Sequence, residues 1–219
     1  MSYGLVGALL AARTAGLGRD IDVSLFDLAL HNLSYLATWY LTAGDVQKRL
    51  PRSAHPSITP SQLYPAADGW IFIMCNKEKF WHLLCDILDR PEWKTSPDYL
   101  NAAQRLANRD QLNLQLDDIF RTRTVAEWLA LLNGRVPAAP IHDVGQALEN
   151  PYVAAIGGLH NYTLADGEEY RMVAPPIRTE GVDAPRRAAP ALGADTDALL
   201  REIGLMDAEI AGLRARKII

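Results

Sequence analysis

The groups in this chain that could do chemistry are its arginines, its histidines and a few acids near them. The densest grouping is Lys48, Arg49 and Arg52, which leads into Ser53-Ala54-His55-Pro56 in a proline-rich segment. Arginine is a bidentate donor suited to phosphate oxygens, and an imidazole held in a loop could touch a ligand. The competing account is a solvated linker charge for the arginines and a surface loop residue for His55. A second constellation is Ser24 with His31 and Asp22 or Asp27. No Gly-x-Ser-x-Gly elbow surrounds Ser24, and on a strand its side chain would share a face with Asp22, so a hydrolytic triad is rejected. Gly16-x-Gly18 is too short for a dinucleotide fingerprint, and it precedes a strand pattern where a fingerprint would follow one. Cys75 and Cys85 have no His or second Cys at ligand spacing; they read as small buried thiols, and no metal site is expected. His31 is expected in a core or interface and His160 on an exposed strand. His82 and His142 have no partner at a functional spacing.

These residues must be carried by elements, and the pattern supplies most of them. Residues 3–12 are apolar and rich in Gly and Ala, as a closely packed helix would be, and Gly16 and Gly18 end it. Ile21, Val23 and Leu25 then alternate with Asp22, Ser24 and Phe26, which predicts a strand. Asp27 is placed to cap a helix over 28–41. Helix, turn, strand and helix in that order suggest a fragment of an α/β layer. Residues 42–65 hold Pro51, Pro56, Pro60 and Pro65 and are expected to be an extended connector. Residues 70–75 form a continuous apolar run of strand length. Asn76 can cap a helix over 77–88 that buries Phe80, Trp81, Leu84, Ile87 and Leu88. A helix over 109–120 turns Leu112, Leu116, Ile119 and Phe120 to one face. Thr124 and Glu127 make a capping box for another helix, closed by Gly134, and Asp143 with Gln146 make a second box. Residues 136–141 should be extended. Residues 159–164 and 168–173 flank Ala165-Asp166-Gly167 as a hairpin. Residues 183–190, with Arg186-Arg187, read as a linker ahead of two short helices. The five tryptophans are expected to pack in the core.

With 219 residues, 49% of them hydrophobic and 22% charged, the chain can build a sizeable core. A net charge of −4 argues against nucleic acid as a partner. No signal peptide is recognised, and no apolar stretch approaches the ~20 residues of a membrane helix. A cytoplasmic protein, without a membrane partner, is expected.

Arg13-Thr-x-Gly16-x-Gly18 followed by Ile21-Asp-Val-Ser-Leu-x-Asp27 resembles the middle of the class III CoA-transferases, which include formyl-CoA transferase, carnitine CoA-transferase and α-methylacyl-CoA racemase. Pro65-x-x-Asp68-Gly69-Trp70, Pro91-Glu92-Trp93, the run from Val136 to Ile141 and the ending Leu192-Gly-Ala-Asp-Thr-Asp197 are similar to the family in order and spacing. The resemblance covers nearly all of the chain but only the C-terminal half of a typical member. It implies an α/β fold: a partial Rossmann-like large domain over 1–44, a small α/β domain with linkers over 45–185, and C-terminal helices over 186–219 that return to the large domain. It implies transfer of CoA between an acyl-CoA and a small carboxylic acid through a nucleophilic Asp, with the coenzyme A thioester as substrate and no permanently bound cofactor. That Asp is expected on the N-terminal half, so no residue here is named catalytic. Arg49, Arg52 and His55 are the candidates to contact CoA or its acyl group, because residues 53–60 resemble the glycine-rich loop of formyl-CoA transferase. The sequence departs from that loop in having no glycine between Asp45 and Asp68. A homo-oligomer, or a separate chain supplying the missing half, is expected as partner. The alternatives are a fragment similar to α-methylacyl-CoA racemase and a non-catalytic structural or binding remnant.

Overall fold

In a computed structural model the chain is described over residues 2–177, 180 and 187–219. It divides into two compact units, Met1–Ile141 and His142–Ile219. The expected linker over 183–190 begins outside the described residues, which resume at Arg187.

The first unit opens with three helices, α1 (Ser2–Ala15), α2 (Leu25–Asn32) and α3 (Ser34–Ala43). Gly16 ends α1 in the left-handed region at φ 70°, and Gly44 does the same for α3 at φ 74°, conformations that glycine adopts without a Cβ clash. Three expectations here need correction. Residues 20–24 carry no strand assignment. Their alternation supplies a facial pattern, and a strand also needs a neighbour to receive its backbone hydrogen bonds. Ser24, rather than Asp27, is the N-cap: its hydroxyl accepts from the Asp27 amide at 3.0 Å and donates to the Asp27 carboxylate at 2.7 Å. The single helix expected over 28–41 is two, because the Leu33 and Leu36 amides bond three residues back and tighten the turn between them.

A 3-10 turn at Pro51–Ser53 then leads into β1 (Ser61–Pro65). The connector is therefore shorter than its prolines suggested; Pro65 closes the strand, where its missing donor does least harm. β2 (Trp70–Met74) pairs antiparallel with β1, with Leu63 opposite Phe72, and with β3 (Ala138–Pro140), with Phe72 opposite Ala139. Ile71 and Ile73 on β2 are fully buried, whereas Trp70 is exposed and Trp39 half-buried, so two of the five tryptophans lie outside the core. Between β2 and β3 come α4 (Glu78–Ile87), the 3-10 turn Pro91–Lys94, α5 (Ala102–Ala107), α6 (Arg109–Phe120) and α7 (Val125–Leu132). The N-cap of α4 is Lys77 with no side-chain bond, not Asn76. The core is one cluster of Tyr64, Ile71, Ile73, Trp81, Leu84, Leu112, Leu116, Phe120, Trp128 and Leu132 with their neighbours. Trp81 stacks on Trp93 at 6.0 Å, and Tyr99 meets both rings edge-on.

The second unit contains α8 (Val144–Leu148), α9 (Pro151–Ala155), the hairpin β4 (Leu159–Thr163) with β5 (Glu169–Val173), α10 (Thr196–Glu202) and α11 (Asp207–Ala215). Both anticipated capping boxes, Thr124 with Glu127 and Asp143 with Gln146, are formed. The hairpin also forms, with Leu159 opposite Val173. Arg214 forks onto Asp197 to tie α11 to α10. Among the described residues both sheets are antiparallel, and no helix is long and apolar enough to cross a membrane.

Candidate functional site

Helix α6 is amphipathic in a particular way. Leu112, Leu116 and Phe120 make its buried stripe, and beside it Arg109, Asn113 and Asp117 fall at i, i+4 and i+8, a second stripe on an adjoining face. Each residue of that polar stripe reaches the segment that runs from the 3-10 turn through β1. Arg109 donates from Nη2 to the His55 carbonyl at 2.6 Å and to the Pro56 carbonyl at 3.3 Å, and from Nε to the Thr59 hydroxyl at 3.0 Å. Asn113 donates to Gln62 Oε1 at 3.1 Å and accepts the Tyr64 hydroxyl at 2.7 Å. The buried Asp117 carboxylate accepts from Arg52 Nη1 with both oxygens, at 2.5 and 2.6 Å. Arg105 on α5 adds a fourth tie by donating from Nε to the Thr59 carbonyl at 3.1 Å. The loop over 52–60 is thus fastened from below by Arg105, Arg109 and Asp117, while Asn113 holds β1 beside it.

The opposite side of the loop faces α3. The His55 ring lies over Tyr35 with centroids 5.9 Å apart and planes 16° apart, and its Nε2 is 3.4 Å from the Tyr35 hydroxyl. The Ser57 amide donates to His55 Nδ1 at 3.1 Å. Since Nδ1 is thereby an acceptor, the proton of the neutral imidazole sits on Nε2. Burial, and then the Arg109 guanidinium, hold the His55 pKa below its usual 6.5, so the ring is neutral at neutral pH. Beside it, Trp39, Asp45, Gln47, Pro56 and Ser57 line a notch of about 270 Å³. An adjoining apolar groove of about 470 Å³ runs between α2, α3 and residues 45–47, lined by Leu33, Leu36, Ala37, Tyr40 and Val46 among others. Together these offer a neutral N–H donor, two hydroxyls and an apolar wall, a set suited to a carbonyl or carboxyl oxygen on an acyl chain.

Of the three residues singled out from sequence, His55 lines this face. Arg52 lies beneath it, bound to Asp117 and 5.8 Å from the Trp70 ring, with backbone φ at 55°. Arg49 is exposed on the approach to the turn. The loop brings Arg52 and His55 to one segment but turns them to different partners. Sequence reasoning missed Tyr35, Ser57, Arg109, Asn113 and Asp117. The spacing of the last three was a usable signal: a polar stripe next to an apolar one needs partners, and Asp117 sits between Leu116 and Phe120 on a core-facing turn. His31, expected in a core or interface, is exposed on α2 and so lies outside the core of this chain. Both cysteines are buried and free. Burial pushes the Cys75 thiol well above its ordinary value and the Cys85 thiol up to about 12, which makes both poor nucleophiles. Asp117, the one carboxylate buried among the described residues, is taken up by Arg52. Those residues show no cluster of metal-ligating side chains.

The profile of CoA-transferase family III matches residues 1–196. The chain is similar to the acetyl-CoA:oxalate CoA-transferase of Acetobacter aceti, 30% identical over 212 residues that cover 95% of this chain and 53% of that protein. It is also similar to the succinyl-CoA:mesaconate CoA-transferase of Haloarcula hispanica, 29% identical over 206 residues, 93% of this chain and 51% of the relative. Among solved structures, a CAIB/BAIF family protein from Brucella suis superimposes with a TM-score of 0.74 at 28% identity, covering 90% of this chain and 51% of the other. The chain spans about half the length of the curated relatives it matches.

Proposed function

This chain belongs to CoA-transferase family III, and from that premise we propose that it forms part of an enzyme moving CoA between an acyl-CoA and a small carboxylic acid. The observation that carries the reading is a family match running through nearly the whole chain, including the loop that holds His55. In the proposed reaction a carboxylate attacks the donor thioester to give a mixed anhydride and CoA thiolate, which then attacks the enzyme carbonyl of the anhydride, releasing the donor acid and leaving CoA on the enzyme as a thioester. The acceptor acid attacks that thioester to give a second mixed anhydride and CoA thiolate, and the thiolate attacks the acceptor acyl carbonyl to form the new acyl-CoA and free the enzyme carboxylate, so that one difficult exchange is split into easier steps. The attacking Asp is assigned to polypeptide outside these residues, since the one buried carboxylate described here is neutralised by Arg52. The role of these residues is to present His55 Nε2–H and the Tyr35 hydroxyl to the acyl oxygen and to wall the acyl chain with the apolar groove. Arg49, exposed on the approach to the loop, is left for the CoA phosphates. The three helices of residues 2–43 correspond in this proposal to part of a Rossmann-like large domain. Their apolar faces, with Leu5, Leu9, Leu25 and Leu41 more than half exposed, would be covered by that further polypeptide or by a second copy of the chain.

The test is an acyl-CoA transfer assay with acetyl-CoA or succinyl-CoA as donor and oxalate or mesaconate as acceptor. The chain is assayed alone and after co-expression with a polypeptide supplying the remainder of a relative. Turnover only in the combined sample is the expected result. Turnover by the chain alone would refute the placement of the Asp, and no turnover in either sample would refute the transferase reading.

A further inference from the structure

The His55 loop has no glycine hinge, and α6 holds it at backbone carbonyls as well as at side chains. Arg109 is the centre of that hold. Its guanidinium reaches the carbonyls of His55 and Pro56 and the hydroxyl of the buried Thr59 at once. A planar fork can do this and an ammonium cannot. A basic residue at the first position of a helix is moreover unfavourable toward the positive end of the helix dipole, so the hydrogen bonds to the loop must offset that placement. One residue beyond the carbonyls that Arg109 grips, the Ser57 amide is aimed at His55 Nδ1, and this bond selects the tautomer.

We propose that Arg109 is a positioning residue for His55, fixing the loop so that Ser57 occupies Nδ1 and the Nε2–H is presented beside the Tyr35 hydroxyl. The loop is then a preset wall of the site, and Asn113 and Asp117 extend the same hold along α6 to Gln62, Tyr64 and Arg52. The charged or titratable groups that face the imidazole are Arg109 from α6 and Tyr35 from α3, with Asp45 lining the notch beside Ser57. The direction of the His55 pKa agrees with this arrangement: burial in the fixed loop and the Arg109 charge both disfavour imidazolium. The inference deepens the functional reading by naming what sets its donor, and it is tested on the imidazole itself, without turnover.

The experiment is a pH titration of the imidazole nitrogens by ¹⁵N NMR on the full 219-residue chain, with His55 assigned from the resonances missing in H55Q. The wild type should titrate below 6.5 and hold the proton on Nε2 when neutral. In R109Q the pKa should rise toward 6.5 and the two tautomers should become mixed. R109K decides between charge and position: it keeps the cation but loses the fork, so the tautomer preference should be lost although the pKa rises less than in R109Q. Retention of the wild-type tautomer in R109K would overturn the proposal, and so would an unchanged titration in R109Q. If R109Q does not fold, R109K alone carries the test, with near-ultraviolet dichroism of the Trp81–Trp93 pair as the fold control. An imidazole altered as expected in R109Q and R109K, with transfer activity of the co-expressed sample unchanged, would count against the functional reading alone.

Discussion

Single residues here show how far a charge can be put to structural use. Arg105 is buried yet makes two hydrogen bonds to Glu78, at 2.8 and 3.0 Å, one each to the Thr59 and Tyr99 carbonyls, and lies 5.0 Å from the Trp81 ring centroid. Its partner Glu78 has a side chain about half exposed, so the pair is anchored at one end and wet at the other. The hydrogen bonds from Arg105 are the main cause that holds the Glu78 carboxyl below its ordinary 4.5. A carboxyl depressed in the folded state contributes stability above its unfolded pKa and loses it as pH falls through the folded one. The acid limb of the stability curve should therefore steepen below 4.5, and Glu78→Gln should flatten it and lower the urea midpoints above pH 6 by a constant amount. An unaltered acid limb in the variant would remove the pair from the account. His55 works on the neighbouring window with the same sign: its pKa lies below 6.5 in the fold, so protonation as pH drops past that value opposes the native loop. Little of this was legible in the sequence. His55 was marked by its basic and proline-rich surroundings, but apart from the nearby Ser57 the groups that face its ring are Tyr35 and Arg109, twenty and fifty-four positions away.

At the scale of elements, what was legible was local. The Thr124–Glu127 and Asp143–Gln146 boxes depend on residues three apart and formed as read. The helices over 109–120 and 125–132 carried an unbroken apolar period, and the hairpin after residue 159 had its turn written in Asp166-Gly167. Elements that depend on distant partners were misread. Residues 20–24 alternate like a strand yet pair with none among the described residues, whereas residues 61–65 looked like connector and found β2. The join between loop and helices follows the same logic, since Arg105, Arg109, Asn113 and Asp117 each bond to a segment 46 to 65 residues earlier. Because Arg105 ties α5 to both the loop and α4, Arg105→Ala should cost about 3 kcal/mol, the range for breaking a buried ion pair and stranding its partners. Chemical denaturation should show this as a lower midpoint with the slope unchanged. A loss below about 1 kcal/mol, the size of an exposed pair, would mean that the wet end of Glu78 governs the interaction.

For the whole molecule, composition and motif order reached the α/β class and the family, because many weak matches in sequence are strong together. They did not reach the antiparallel sheet over residues 61–140, whose register is set by pairings and not by composition. The site stands between those cases: a loop visible in its prolines and basic residues, given shape by α6 and a neutral donor by Arg109 and Ser57. In the proposed assembly these residues supply the acyl-facing wall of a CoA-transferase, and the carboxylate that carries CoA belongs to other polypeptide. The most direct measurement is intact-mass and peptide mapping of the covalent CoA thioester, trapped by rapid acid quench after acyl-CoA is added to the co-expressed sample. The account predicts the adduct on an Asp of the added polypeptide and an unmodified mass for this chain. An adduct on any carboxylate within these 219 residues would contradict it.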